Sequence, residues 1–212
     1  MSNTPTATTS HHESEETIQW DKHFRWLAPV TAVILLGATA FMWNQGQKNN
    51  IRSEVLQAYT QATTADALEL VADSFPKQPE APLARLQAAS MYFNQGNFES
   101  ALTQYELFVE AYPSHPMAFN AQWGVWMSQE GLGELETAMS GFQSVTSEDL
   151  LFQQALLGQA RIFEKQGQNA KALAIYDLIQ ADYPESAWSE QARVFGQVVS
   201  RKLERSTDES GE

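Results

Sequence analysis

The sequence predicts an all-α protein built from consecutive helical hairpins, and two recurring patterns indicate this class. In the first, an aromatic residue precedes proline and alanine follows eight residues later, at Phe75-Pro76, Tyr112-Pro113 and Tyr183-Pro184. The second pattern is an aromatic, a glycine, an alanine and an aromatic at fixed spacing. It occurs as Tyr92, Gly96, Ala101, Tyr105, as Phe163, Gly167, Ala172, Tyr176, and more loosely as Gly133, Ala138, Phe142. A repeat of about 34 residues with this punctuation is typical of a helical solenoid.

One apolar segment precedes the repeats. Residues 24–43 carry a single charge, Arg25, near one end, and twenty helical residues span about 30 Å, the thickness of the hydrocarbon core. Phe24, Trp26 and Trp43 stand where an aromatic belt would lie. We therefore predict a transmembrane helix over 24–43.

The alternative for this segment is a cleaved signal peptide, since Ala38-Thr-Ala40 fits a small-x-small cleavage site. The long acidic stretch before the apolar run is unlike a short basic leader, which favours the spanning helix. Lysine and arginine occur on both flanks, so the positive-inside rule does not decide the orientation. A short tail before a first span usually stays in the cytoplasm, so we expect the large domain on the other side.

The remaining boundaries follow from composition and helical periodicity. We predict a disordered acidic tail over 1–23, a polar linker over 44–50, a solenoid over 51–205 and a disordered tail over 206–212. Within the solenoid, helical spacing of apolar residues predicts hairpins over 51–75, 82–113, 117–147 and 150–184, then a last helix over 186–205. Pro113 and Pro184 end second helices, and Ser186 can cap the last helix. In the middle hairpin Gly131 and Gly133 compete for the turn.

Composition excludes several classes of function. The net charge is −13, and no lysine or arginine lies between Arg85 and Arg161, so a nucleic-acid partner is not expected. The chain has no cysteine, which excludes disulfides and thiolate metal sites. Its four histidines form no metalloprotease motif, and no nucleophile elbow or phosphate loop occurs. We therefore expect no enzyme activity, cofactor, metal or small-molecule substrate, and we interpret His11-His12 as incidental and His115 as a turn residue.

The repeats resemble the tetratricopeptide repeat, because Tyr92, Gly96, Ala101, Tyr105 and Pro113 fill its pattern in order, as do Phe163, Gly167, Ala172, Tyr176 and Pro184. The layout of tail, single anchor and repeats over about 24–205 resembles the YfgM-like ancillary subunits of the bacterial Sec translocon. The proline junctions are also similar to those of the Tol-Pal cell-division coordinator and of BamD-type outer-membrane assembly lipoproteins. Those two groups carry a cleaved signal or a lipidated cysteine, and this chain has no cysteine.

The resemblance implies a partner-binding groove on the first helices of the hairpins. Carried onto this sequence, the groove residues are Leu83, Leu86, Ser90, Phe93, Asn94, Trp123, Met127, Gln154, Leu157, Arg161, Glu164 and Lys165. Trp123 and Trp126 have a second interpretation, that they fill space between repeats, because large aromatics dominate cores.

The implied function is an adaptor in the bacterial inner membrane, with a cytoplasmic N-terminus and a periplasmic solenoid. Its partners would be Sec translocon subunits, periplasmic chaperones or their clients. The alternative is a structural or assembly subunit of a bacterial envelope complex, which would bury large apolar interfaces permanently.

Overall fold

The computed structural model describes the backbone of residues 14–210 and the side chains of residues 30–47 and 49–206. Within this part of the chain there are nine α-helices and no strand, which confirms the all-α class. They are α1 (Ser14–Gln61), α2 (Ala65–Ser74), α3 (Ala81–Asn94), α4 (Phe98–Ala111), α5 (Ala118–Leu132), α6 (Leu135–Gln143), α7 (Phe152–Lys165), α8 (Asn169–Asp182) and α9 (Ala187–Ser210). The chain divides into two compact units, Met1–Glu54 and Val55–Glu212.

Helix α1 corrects two predicted boundaries. It begins at Ser14, so residues 14–23 are helical instead of disordered; residues 1–13 of the predicted tail lie outside the described residues. It also continues through 44–50, which we predicted to be a linker. No glycine or proline lies between Ser14 and Ala28, and Gly46 is the single helix breaker in 44–50. Because one glycine costs only about 1 kcal/mol in a helix, the flanking residues can maintain it.

The predicted membrane span is not confirmed. Among the residues that the structure describes, none of the helices combines the length and apolarity needed to cross a membrane. The side chains of residues 24–29, at the start of the predicted span, lie outside that part.

The solenoid hairpins lie where the repeat pattern predicted them. The end of α1 and helix α2 correspond to the first predicted hairpin; both pack against the first core cluster, and α2 lies against α3. Helices α3–α4, α5–α6 and α7–α8 form three hairpins with bounds within a few residues of the prediction. Gly96, Gly133 and Gly167 occupy the turns with φ of 76°, 82° and 72°, a region that side chains disfavour. The middle register is therefore settled, because Gly133 is the turn and Gly131 lies inside α5 against the ring of Phe98.

Aromatic rings on second helices contact glycines on the following first helices. The ring of Tyr105 on α4 covers Gly124 of α5, at a position where a Cβ would overlap it. Phe142 on α6 covers Gly158 of α7 in the same way, and a Cβ there would lie 2.8 Å from the ring. These contacts bring the first helix of each following hairpin close to the preceding second helix.

The last helix corrects the predicted C-terminal tail. As predicted, Ser186 caps α9, since its Oγ accepts a hydrogen bond from the Trp188 backbone at 3.1 Å. The helix then extends to Ser210, so residues 206–210 are helical where we predicted a disordered tail. The sequence has no proline or glycine between Gly196 and Gly211 to end the helix earlier. Residues 211–212 lie outside the described part.

Candidate functional site

The first helices of three successive repeats line one cavity of about 190 Å³. We call it the inner cavity, and its lining residues are Trp123, Met127, Gln154, Leu157, Arg161, Trp188 and Gln191. Helices α5, α7 and α9 supply them. The first five belong to the groove predicted from the repeat pattern, so the structure brings these five together.

Trp123 both packs in the core and lines the inner cavity, which are the two interpretations that the sequence left open. Its ring centroid lies 5.1 Å from that of Phe142 and 6.1 Å from that of Trp126, so it packs against a core cluster. It also lines the inner cavity. Trp126 packs against Phe142 and over Gly141 and does not line the cavity.

An ion-pair network between α5 and α7 fixes Arg161, one of the residues that line the inner cavity. Arg161 binds Glu130 through two nitrogens, Nε to Oε1 at 3.1 Å and Nη2 to Oε2 at 2.7 Å. Lys165 Nζ contacts Glu130 Oε1 at 3.2 Å and the Glu130 carbonyl oxygen at 3.0 Å. Burial by itself would raise the pKa of Glu130, but the hydrogen bonds and charges of Arg161 and Lys165 outweigh it and hold this pKa below its ordinary value.

Two predicted groove residues on α7 lie outside the inner cavity. Glu164 accepts hydrogen bonds from the Tyr176 hydroxyl at 2.7 Å and from Lys202 at 3.3 Å. Lys165 is used in the network with Glu130. Both positions follow the cavity residues by one turn of α7, where neighbouring helices supply oppositely charged or hydrogen-bonding partners. Their side chains therefore connect helices of the solenoid.

The five predicted residues on α3 form a separate group that does not reach the inner cavity. Leu83, Ser90 and Asn94 are exposed, while Leu86 and Phe93 are half-buried against the first core cluster. The Phe93 ring meets Phe98 edge-on with centroids 5.2 Å apart. The predicted groove therefore divides into an α3 surface and the inner cavity.

Sequence reasoning missed two cavity residues, Trp188 and Gln191. Gln191 directly precedes Ala192, just as the predicted Gln154 precedes Ala155 and Leu83 precedes Ala84. The alanine that follows the third aromatic-proline pair therefore marks this position. Extending the groove positions of the repeats into the last helix would have predicted Gln191. Val194, two residues after Ala192, matches Leu157 in this register and is 44% exposed.

The lining of the inner cavity mixes apolar and polar side chains. It combines tryptophan, methionine and leucine side chains with two amides and one arginine that is already bonded to Glu130. Within the described residues, no group of three or more His, Asp or Glu side chains could hold a metal ion. His115, outside the cavity, accepts a hydrogen bond from the Met117 backbone at 3.1 Å and lies against Phe108.

Comparison with known proteins identifies a family for this arrangement. No curated protein matches the sequence. The family model YfiO, described as outer membrane lipoprotein, matches residues 42–195, which include the last part of α1, helices α2 to α8 and the first part of α9. The match covers well over half of the chain and agrees with the tetratricopeptide-like hairpins. The chain therefore belongs to the YfiO family of tetratricopeptide-like helical-repeat proteins.

Proposed function

We propose that this protein is a membrane-anchored adaptor that holds a segment of a partner polypeptide in the inner cavity. The observation that carries the proposal is the convergence of Trp123, Leu157 and Trp188, from three different helices, on one concave site. Aromatic residues, methionine and arginine are enriched in protein interfaces.

The size of the inner cavity favours a polypeptide partner over a small molecule. About 190 Å³ is less than the roughly 300–1,000 Å³ of pockets that enclose a drug-sized ligand. It suits one large apolar side chain of a longer segment. The side-chain amides of Gln154 and Gln191 would form hydrogen bonds with the backbone of that segment. Because Arg161 is already paired with Glu130, the cavity does not require an acidic ligand.

We further propose that the protein lies in the bacterial inner membrane, with a cytoplasmic N-terminus and a periplasmic solenoid. The support is the layout of an apolar helical segment before the repeats. Residues 30–43 contain no charged side chain, and Leu36 and Trp43 in this segment are 70% and 72% exposed. The resemblance to YfgM-like translocon subunits then suggests Sec translocon subunits and periplasmic chaperones or their clients as partners.

The test is crosslinking in the native membrane. A photo-reactive residue replaces Trp123 or Phe93 in the full chain, and Leu70 on α2, which is 66% exposed, serves as the control position. We expect Trp123 to capture translocon subunits or periplasmic chaperones more strongly than Leu70 does. Capture of cytoplasmic proteins would overturn both the topology and the export role.

A second variant separates binding from packing, because Trp123 also contacts the core. Trp123→Ala should abolish the crosslinks formed from a neighbouring probe at Gln191. If capture survives while the melting temperature falls, Trp123 serves only the core and the groove assignment is wrong.

The second candidate is a structural subunit of an envelope complex, and the family description as outer membrane lipoprotein favours it. A permanent subunit would expose large apolar interfaces when isolated. A purified full chain that is monomeric and monodisperse in detergent supports the adaptor. Self-association or insolubility without partners supports the structural subunit.

A further inference from the structure

A second cavity, unconnected with the lining of the inner cavity, opens beside the start of α5. Its volume is about 380 Å³, and we call it the side notch. It is lined by Phe119, Asn120, Glu148, Asp149, Leu150 and Leu151. None of these residues lines the inner cavity.

The side notch exists because α6 is short. Helix α6 has nine residues, whereas α4 and α8, the second helices of the neighbouring hairpins, have 14 each. In an antiparallel hairpin, the end of the second helix lies beside the start of the first helix. The five missing residues would add about 7.5 Å of helix at 1.5 Å per residue. The start of α5 therefore lacks cover that the other hairpins have.

Equivalent positions confirm that this cover is missing. Phe119 stands two residues before Ala121, as Pro82 stands before Ala84 and Gln153 before Ala155. Pro82 is buried, and Gln153 is half-buried and accepts a hydrogen bond from Ser186. Phe119 is 42% exposed. Among these three equivalent positions, the exposed one therefore carries a large apolar side chain, that of Phe119.

The segment after α6 presents a second apolar side chain in a fixed way. Asp149 Oδ2 accepts hydrogen bonds from Thr146 N at 2.8 Å and Thr146 Oγ1 at 2.9 Å, and Asp149 N donates to the Thr146 carbonyl at 3.0 Å. The next backbone hydrogen bond, from Phe152 N to the Asp149 carbonyl, is 3.1 Å. Leu150 lies between these bonds and is 100% exposed. Its exposure is therefore built into a hydrogen-bonded turn.

The charge around the side notch selects the kind of partner. Glu148 and Asp149 line it, and none of its lining residues is basic. A complementary surface therefore carries basic residues. We infer that the side notch docks an amphipathic helix of another protein, which takes the place of the missing end of α6. Its leucine or phenylalanine side chains contact Phe119 and Leu150, and its lysine or arginine side chains face Glu148.

A crosslinking experiment on the full chain tests this inference. A photo-reactive residue replaces Asn120 in the side notch or, as the matched control, the exposed Leu70 on α2. The probe is a labelled synthetic helix with leucines at i, i+3, i+4 and i+7 and lysines on the opposite face. A second peptide carries glutamates in place of the lysines. We expect at least tenfold more product from Asn120 than from Leu70, and tenfold less with the glutamate peptide.

Variants separate the side notch from general charge attraction and from the inner cavity. Leu150→Asp alters a fully exposed side chain and should reduce the Asn120 product at least fivefold, while the helical circular-dichroism signal stays unchanged. Gln191→Ala, in the lining of the inner cavity on α9, should leave the product unchanged. Equal yields from Asn120 and Leu70, or no effect of Leu150→Asp, would overturn the inference. A concentration-dependent crosslinked dimer without peptide product would also overturn it, because the occupant would then be a second copy of this chain.

Discussion

At the scale of single residues, Glu130 has the most demanding environment near the inner cavity. Its side chain is only 6% exposed, and an ionised carboxylate is costly to bury unless it is paired and hydrogen-bonded. Arg161 supplies two hydrogen bonds and Lys165 supplies an ion pair, both from the next hairpin. One buried charge thus connects α5 to α7 and fixes the arginine that lines the cavity.

Replacing this carboxylate by an amide is expected to destabilise the solenoid. Glu130→Gln keeps the shape but removes the charge that Arg161 and Lys165 pair with, and lost hydrogen bonds to charged groups typically cost about 1.5–3 kcal/mol. The measurement is the free energy of unfolding in urea near pH 7. The matched control is Glu190→Gln, which breaks the exposed pair with Arg193 and should leave the unfolding midpoint unchanged.

The same variant makes a pH prediction with a definite sign. Because the folded-state pKa of Glu130 lies below its ordinary value, the carboxylate stabilises the fold at pH values above about 4.3, the ordinary pKa of glutamate. This contribution is lost as the pH falls through the lowered pKa. The wild-type chain should therefore lose more stability than Glu130→Gln on acidification from about pH 5. An equal loss in both chains would contradict the pairing.

At the scale of helices, α9 depends on the serine that begins it. The Ser186 Oγ accepts a hydrogen bond from the Trp188 backbone and donates one to Gln153 of α7. Ser186→Ala should cost about 1 kcal/mol, the usual loss for an N-cap, measured as the free energy of unfolding. Ser140→Ala, at an exposed serine inside α6, is the control and should stay within about 0.5 kcal/mol of the wild type.

The hairpins were predictable from sequence because local chemistry decides them. Gly96 and Gly167 mark turns that need positive φ, and the prolines end helices, so few residues suffice to place each hairpin. The continuity of α1 through 44–50 was not predictable, because asparagine, glutamine and one glycine indicate a loop by local preference alone. Likewise, the local sequence pattern did not predict that α6 ends as early as Gln143.

The candidate site was predictable in part for a related reason. Trp123 and Arg161 follow from repeat register, which is a property of the chain. Their grouping with Trp188, and the separation of Leu83 and Ser90 from them, depend on which hairpins lie next to each other in space. That spacing is set by packing between helices distant in sequence.

At the scale of the whole solenoid, the core is divided into three clusters along the chain. The first extends from Ala65 to Val125, the second from Ala138 to Ile162, and the third from Leu157 to Val199. In such an array each repeat is stabilised mainly by its neighbours, so local stability varies along the chain. The second cluster contains α6, the shortest helix of the solenoid.

Hydrogen exchange should show this weak position directly. The backbone amides of α6 are expected to lose protection before those of α4 and α8, because α6 has nine residues against 14 in each of the others and Phe142 is its one large buried side chain, whereas α8 buries both Tyr176 and Ile179. The measurement is native-state exchange of the full chain, resolved by peptide mass spectrometry. Equal protection of α4, α6 and α8 would mean that the solenoid opens as one cooperative unit.

The contacts of Tyr105 on Gly124 and of Phe142 on Gly158 have a consequence for modular engineering. They impose a size rule at these two junctions, since the ring on one helix fills the space that a Cβ on the next helix would need. The corresponding residue of α3, three positions after Ala84, is Gln87. The α3–α4 hairpin therefore cannot be placed after α4 or α6 unless Gln87 is replaced by glycine. The α5–α6 and α7–α8 hairpins already carry a glycine at this position, so they meet the size rule.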